Sequence, residues 1–444
     1  MILFISNSGE SCPIAYRMMK EHVDVMLYIH APSYRRAYNG MLPKCGLTDL
    51  RKIARKAELV IFDITRANAQ IKEDVALLKS FGVSTRSPEV FGAVASRMAR
   101  HTKVIGASEY TASIELDRMD GEHLAEDVGL DLPTTMEFDR LSEAVEFLNS
   151  DEGKKTRWVF KPDNNQDLDL TYMEKYPGEL RDKLTHEYMV RISEDKFPHI
   201  LQEVVHGVEI STEGWFDGSK FVHFNHTIED KRLMNGNLGP ATGSQSNTVW
   251  IKNGGLLVPE LSRLAPKLNQ AGYIGPVDIN TIVTKDKAYF LEWTPRFGYD
   301  AIYNLLTLYK GRVSSFFQSG FMADWKPGFA SSQRITIPPY PYSDRGLLKE
   351  FARDVSVWGT FNTFWAEDVY FDGSLRCAGS DGLVGVISAY GKTLGESINA
   401  VYQSIGKLKI SSYIQYRTDL GRRTEKAIKQ FQKWGIDYGK ENQS

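Results

Sequence analysis

The sequence predicts an α/β fold that becomes α+β in its later part, and three observations carry the prediction. The first hundred residues alternate short apolar strands with amphipathic helices, the pattern of a small parallel sheet covered on both faces. From about residue 200, β-branched and aromatic runs are separated by His206-Gly207 and Asp217-Gly218, as hairpins require. Residues 277–284 and 288–293 then read as two strands joined by the polar turn Lys285-Asp286-Lys287. Pairing across that turn places the carboxylates of Asp278 and Glu292 near each other on one face. Two such acids call for a cation, and Mg²⁺ suits hard oxygen ligands completed by a substrate phosphate.

In order along the chain, strands are expected at 2–5, 25–29 and 59–62, with helices at 12–21 and up to about 78. The turn Ser6-Asn7-Ser8-Gly9-Glu10 holds one glycine where a dinucleotide fingerprint has three, which argues against a nicotinamide site. After Lys103-Val-Ile-Gly106 a helix over 112–127 is stopped by Gly129 and Pro133. A strand at 135–138, a helix at 141–148 and a strand at 157–161 follow, and the polar, charged stretch 163–197 predicts a mobile cover instead of a core. Strands are expected at 200–205, 209–216 and 221–226, then a glycine-dotted loop over 235–244 and a helix over 258–271. Helices to about 320, a boundary at 325–328, a strand at 382–388, a helix at 394–405 and a charged helix with a loose tail from 426 complete the chain.

A chain of 444 residues exceeds what one hydrophobic core usually supports, so several compact units are expected. These are an N-terminal domain over 1–108, a central one over 109–324 with a lid at about 134–205, a C-terminal one over 325–425, and a tail. A net charge of −2 supplies no broad positive surface for a nucleic-acid backbone. Cys12, Cys45 and Cys377 are widely separated and show no metal-ligand spacing, which suits a reducing compartment. No apolar run approaches a membrane span, and the start Met1-Ile-Leu-Phe-Ile5 lacks a basic leader. The expectation is a cytoplasmic monomer or homodimer acting on small molecules, with no membrane partner and no extended nucleic-acid binding.

Leu201-Gln-Glu-Val-Val-His-Gly-Val-Glu-Ile-Ser211 resembles the hinge of ATP-grasp enzymes, and Val159-Phe-Lys-Pro162 ends a strand with a lysine. The order Lys161, Glu209, Asp278, Glu292 matches the order of that superfamily. Asp230-Lys-Arg232 with Leu238-Gly-Pro-Ala-Thr-Gly243, Glu292-Trp-Thr-Pro-Arg-Phe-Gly298 and Trp325-Lys-Pro-Gly328 are similar to motifs of the phosphoribosylamine–glycine ligase family. So are Gly382-Leu-Val-Gly-Val386, Ala389-Tyr-Gly391 and Tyr416-Arg-Thr-Asp-Leu-Gly421, so the resemblance spans nearly the whole chain.

The resemblance implies an ATP-grasp fold with a small N-terminal sheet domain, a lid and a C-terminal α/β domain. It implies ATP with Mg²⁺ (or Mn²⁺), and amide formation through an acyl phosphate. Gln202 and the Glu203 carbonyl would meet the adenine amine, the Val205 N–H the ring, and Glu209 the ribose. Lys161, Arg118, Lys231 and Arg232 would face the nucleotide, and Asp278, Glu292 and Thr294 the metal. Arg296, Gly239, Thr242, Gly243 and Asp300 would serve the substrate, with Arg296 and Lys161 acting in catalysis.

The chain departs from the family pattern at several places. The lysine is followed by Pro162-Asp-Asn-Asn-Gln-Asp-Leu-Asp169 instead of a glycine-rich loop, and Thr294 replaces asparagine. Gly298-Tyr-Asp-Ala301 and Ala378-Gly-Ser-Asp381 lack the family's residues, including an arginine beside the acceptor, and Ala241 replaces an asparagine. Two alternatives therefore stand beside the synthetase reading: a ligase with another acceptor, such as a modified nucleotide or nucleobase, and a nucleotide-binding scaffold without turnover.

Overall fold

The computed structural model describes residues 1–64, 71–84, 91–162, 171–192, 196–359 and 361–438. The chain divides into two compact units: one of residues 1–121, 210–280 and 292–444, and one of residues 122–209 and 281–291.

The first unit opens with a parallel sheet in the order β2-β1-β3-β4, made of β1 (Ile2–Ser6), β2 (Val25–Ile29), β3 (Leu59–Asp63) and β4 (Lys103–Gly106). Its strands are apolar because both faces are covered. Helix α1 (Cys12–Lys20) buries Cys12, Ile14, Ala15 and Met18 in one core, while Leu50, Leu77, Val94 and Met98 of α2 (Leu47–Ala54), α3 (Lys72–Ser80) and α4 (Gly92–Met98) enter another. The helix expected over 112–127 is two: α5 (Glu109–Leu116) and α6 (Arg118–Asp127). Asp117 breaks it, with extended backbone and a side chain that accepts from the Asp120 amide at 3.1 Å, a competing bond typical of aspartate at a helix start.

The second unit carries a four-stranded sheet of β5 (Thr135–Phe138), β6 (Trp158–Pro162), β7 (Tyr172–Met173) and β8 (His199–Glu203), in the order β5-β8-β6-β7. The expectation of a mere cover over 163–197 is corrected here. Residues 163–170 and 193–195 lie outside the described residues, but Leu180, Leu184, Tyr188 and Phe197 are buried with Trp158, Phe160 and Leu201 in this unit's core. Charges on the opposite face masked that apolar set.

The large sheet runs in the order β13-β12-β9-β10-β11-β14-β19-β16. Its first members are β9 (Val208–Phe216), β10 (Phe221–Arg232), β11 (Ala241–Ile251), β12 (Gly275–Val283), β13 (Ala288–Thr294) and β14 (Phe329–Thr336). Two short ribbons, β15 (Val357–Trp358) with β20 (Lys409–Ile410) and β17 (Val369–Phe371) with β18 (Leu375–Cys377), accompany β16 (Phe364–Ala366) and β19 (Leu383–Gly391). The last four residues of the stretch expected as a loop, 241–244, are therefore the start of strand β11, in register with β10 through Arg232↔Ala241. Beyond Trp325 the chain continues the same sheet through β14 and β19, so 325–425 is no separate compact unit. The charged helix expected from 426 is found as Arg422–Trp434, with Phe431 fully buried, and beyond it Trp250 Nε1 donates to the Tyr438 carbonyl at 2.6 Å. The three cysteines are free, and among the described residues no helix is long and apolar enough to cross a membrane.

Candidate active site

The hairpin β12–β13 presents the expected acids in the first unit. Asp278 is half-buried, and its Oδ1 has no hydrogen-bond partner among the described residues. Burial first, then the neighbouring Glu213 carboxylate, push its carboxyl well above the ordinary range; Ser211 opposes this, and Glu292 and Glu229 add to it. Glu292 is 59 % exposed, with Lys231 Nζ 3.6 Å from Oε1. Asn280, two residues beyond Asp278 and hence on the same face of the strand, donates through Nδ2 to Glu292 Oε1 at 3.2 Å. Glu213 is buried and its carboxyl is raised to about 7, chiefly by burial, against hydrogen bonds from Trp215 and Asn225. Thr294 ends β13 and is half-buried. Among the described residues no three His, Cys, Asp or Glu side chains form a metal cage. The donor set still suits a hard, phosphate-bound cation, because the carboxylates around Asp278 outnumber the Lys231 ammonium, one Asp278 oxygen has no partner among the described residues, and Mg²⁺ usually takes only one or two protein carboxylates.

Arg296 follows the hairpin and is held by Glu115 of α5, with Nε and Nη2 each 2.9 Å from Oε1. Burial works against its charge, but the Glu115 carboxylate raises its pKa overall. The second Glu115 oxygen is buried and has no partner among the described residues. Arg118 is half-buried at the start of α6.

The glycine loop is the turn between β10 and β11, and it is clamped. Arg232 donates through Nη1 to the Gly239 carbonyl at 3.2 Å, and Thr242 Oγ1 donates to the Lys231 carbonyl at 2.8 Å. A Cβ on Gly239 would stand 2.9 Å from the Met234 amide nitrogen, whereas one on Gly243 would meet nothing within 4 Å. Arg417, from the Tyr-Arg-Thr-Asp motif, is buried and donates through Nη1 to the carbonyls of Arg232 at 2.7 Å and Met234 at 2.9 Å and to Asn237 Oδ1 at 2.8 Å. Asp419 holds that guanidinium and also accepts from the Gly236 amide at 2.9 Å. The closing motif thus acts as a brace for the loop.

In the second unit Lys161 ends β6 and donates to Gln202 Oε1 at 2.7 Å, and Gln202 Nε2 donates to Thr135 Oγ1 at 3.2 Å. The Glu203 amide is used by the Thr134 carbonyl at 2.8 Å, while the Val205 amide makes no hydrogen bond among the described residues. Glu209 is half-buried near the start of β9. The aspartate-rich segment 163–169 lies outside the described residues.

One expected site residue is placed otherwise. Asp300 is fully buried, with Oδ1 2.7 Å and Oδ2 3.2 Å from the Arg334 guanidinium, so its carboxylate is turned into the protein and not toward a substrate. Around it stand acids that sequence reading missed: Asp63, which accepts from Tyr299 at 2.7 Å, Glu367, which accepts from Tyr303 at 2.7 Å, and Asp381, which accepts from Tyr34 at 3.1 Å. Burial, then Glu10, lifts the Asp63 carboxyl to about 8; burial, then Asp368, lifts that of Asp381 to about 7. Their partners lie tens to hundreds of residues away, so no local pattern announced them.

A crystal structure of phosphoribosylamine–glycine ligase from Thermotoga maritima superposes with a TM-score of 0.65, over 94% of this chain and 99% of that one, at 18% identity. The chain has the ATP-grasp fold. A biotin carboxylase domain of the Hydrogenobacter thermophilus 2-oxoglutarate carboxylase, solved with MgADP and bicarbonate, follows at a TM-score of 0.56 and 11% identity, over 94% of this chain and 91% of that one. In sequence, the chain is 26% identical to the phosphoribosylamine–glycine ligase of Clostridium acetobutylicum over 243 residues and 25% identical to that of Caulobacter vibrioides over 255. Each match covers 50% of this chain and 56% of the relative, so the chain spans little more than half the length of the curated relatives it matches. No family model matches the chain. The resemblance to phosphoribosylamine–glycine ligase read from the motifs is thus found in both sequence and fold.

Proposed function

We propose that the protein is an ATP-dependent carboxylate–amine ligase that joins glycine, or another small amino acid, to phosphoribosylamine, giving glycinamide ribonucleotide for purine synthesis. The observation that carries this reading is the open acid pair Asp278–Glu292, with an unsatisfied oxygen and Lys231 beside it, on the hairpin of an ATP-grasp fold. The reaction transfers the γ-phosphoryl group of ATP to the amino acid's carboxylate. The amine then attacks the acyl carbon, phosphate departs with the bonding electrons, and the nitrogen loses a proton. Such chemistry depends on positioning and charge neutralisation, so no nucleophilic side chain is required.

Asp278 and Glu292, with Thr294, would hold Mg²⁺, which neutralises phosphate charge when bound. Lys161, held by Gln202, would set a cation against the phosphates, assisted by Arg118, Lys231 and Arg232. The Glu203 carbonyl and the unengaged Val205 amide would read adenine, and Glu209 would take the ribose. Arg296, oriented by Glu115, would bind the carboxylate or the transferring phosphoryl group through its planar fork. The braced loop containing Gly239, Thr242 and Gly243 would offer backbone amides to a substrate anion.

A second reading, the same chemistry with a different amine, is favoured by one observation. Arg334 is bound to Asp300, and Asp381 stands where the family has an arginine, so the region around 298–301 and 378–381 is rich in acid where a ribose phosphate would need cations. ADP and phosphate release from Mg-ATP, with glycine and freshly generated phosphoribosylamine omitted in turn, tests both. Release that needs both substrates supports the synthetase. Release that appears only when other amines are supplied supports the second reading.

A further inference from the structure

The helices of the N-terminal sheet converge on a cavity of about 110 Å³ lined by Arg51, Arg55, Arg97, Arg100 and His101 over an apolar floor of Ala54, Phe81 and Met98. We propose that this cavity is a second ligand site, which takes the phosphoryl group of a phosphorylated small molecule.

Among the described residues none of the four arginines forms an ion pair, and the one side-chain hydrogen bond found for them runs from Arg97 Nη1 to the Phe81 carbonyl at 3.2 Å. The four arginines are exposed and line one hollow over an apolar floor, so solvent screens their mutual repulsion only in part. An anion relieves that repulsion, and a phosphate matches the planar forks of arginine better than a point cation would. The volume decides how much of the ligand enters. It falls below the few hundred Å³ that enclose a whole drug-sized molecule, so it fits a phosphoryl head with the remaining carbon skeleton against Phe81 or in solvent.

Topology separates this hollow from the candidate active site. In a parallel sheet the covering helices run back against the strands, so the ends of α2, α3 and α4 lie at the edge where β3 and β4 begin. Thr102 donating to the Ala57 carbonyl at 2.7 Å ties the two turns at that edge together. Asp63, bonded to Tyr299, ends β3 at the opposite edge, roughly 13 Å away at about 3.3 Å per strand residue. A structural explanation exists for part of the cluster, because Arg51 and Arg97 occupy last helical turns, where the macrodipole favours cations. Arg55 is the C-cap of α2, and Arg100 and His101 directly follow the C-cap of α4, so the same dipole bears on them; it does not account for the convergence of the two sets on one hollow.

The test is isothermal calorimetry of the whole protein with ribose 5-phosphate and with inorganic pyrophosphate, in magnesium-free buffer at low salt, with ribose as the control. Wild type should bind the phosphorylated probes saturably and ribose not at all. The Arg51→Ala/Arg97→Ala double variant should weaken one site at least tenfold; Arg55→Glu, a single change at an exposed position, should do the same with an unaltered thermal melt and so guards against misfolding of the double variant. Equal affinities in wild type and Arg55→Glu, or ribose binding as well as its phosphate, would overturn the assignment.

Discussion

Two groups of carboxylates in the first unit are built from the same residue types and come to opposite ends. On the β12–β13 hairpin, Asp278 keeps an oxygen without a partner among the described residues, and Glu292 stands exposed beside Lys231. A few residues along the chain, Asp300 is sealed from solvent with both oxygens on Arg334, which is itself only 9 % exposed. The first group is an incomplete electrostatic set that a ligand can complete. In the second, the Asp300–Arg334 pair is satisfied internally, although its neighbour Glu367 keeps a buried oxygen with no partner among the described residues. On the proposed function the hairpin acids face the ligand and Asp300 serves the fold, a distinction that their places in the motifs do not make.

The largest expected effect follows from that contrast. Glu292→Gln keeps shape and removes charge at an exposed position, so turnover should fall on the order of 10²-fold or more, with the melting temperature nearly unchanged. Steady-state kinetics and a thermal melt on the same sample check both halves; a variant that is unstable but active would make Glu292 structural. Asp300→Ala should behave inversely. It leaves the Arg334 guanidinium buried without its partner, which costs about 3–5 kcal/mol in denaturant unfolding, a large share of the roughly 5–15 kcal/mol a domain commonly has. If Asp300→Ala were as stable as wild type, the two groups would not differ as described.

Asp63 sharpens the comparison through pH. Its carboxyl rises from 3.8 to about 8, mainly by burial, so the folded chain holds a proton that the unfolded chain releases above about pH 4. Stability contributed by this group is therefore greatest below pH 4 and is lost as pH rises toward 8, the reverse of a salt-bridged carboxylate. Asp63→Asn should flatten the melting temperature between pH 5 and 8; an identical slope in both proteins would show that Asp63 titrates normally. The smallest effect is expected at Lys231, whose ion pairs are part-exposed: Lys231→Met should change stability by less than about 1 kcal/mol while weakening nucleotide binding.

Most of the framework was legible in the sequence because periodicity survives wherever one face is polar. The parallel strands, the hairpin around 285–287 and the helix Leu394–Ile405 lie within a residue or two of expectation. Strand β11 escaped because its buried residues are largely polar: Ser244 through Thr248 are nearly inaccessible and bond one another and β14 in part, as where Gln333 Nε2 donates to the Gln245 carbonyl at 2.9 Å, while Gln245 Oε1 and Asn247 Oδ1 have no partner among the described residues. Polar residues at both faces erase the alternation that marks a strand. In the candidate site, the acids and Lys161 are proposed from their motifs. Glu115, Asn280, Arg334 and the brace formed by Arg417 could not be, since each is defined by a contact and not by a pattern. Of these, Asn280 had the one usable signal, its spacing of two from Asp278 on a strand.

The central claim is that the open acid pair serves phosphoryl transfer to a carboxylate, and one isotope experiment tests it most directly. Glycine labelled with ¹⁸O in its carboxylate is incubated with Mg-ATP, phosphoribosylamine and enzyme, and the released phosphate is analysed by mass. One ¹⁸O per phosphate, with amide formed in equal amount and both lost in Glu292→Gln, is the result this account predicts. Unlabelled phosphate released at a rate independent of glycine and of any amine would contradict it, and would leave ATP binding or hydrolysis without ligation.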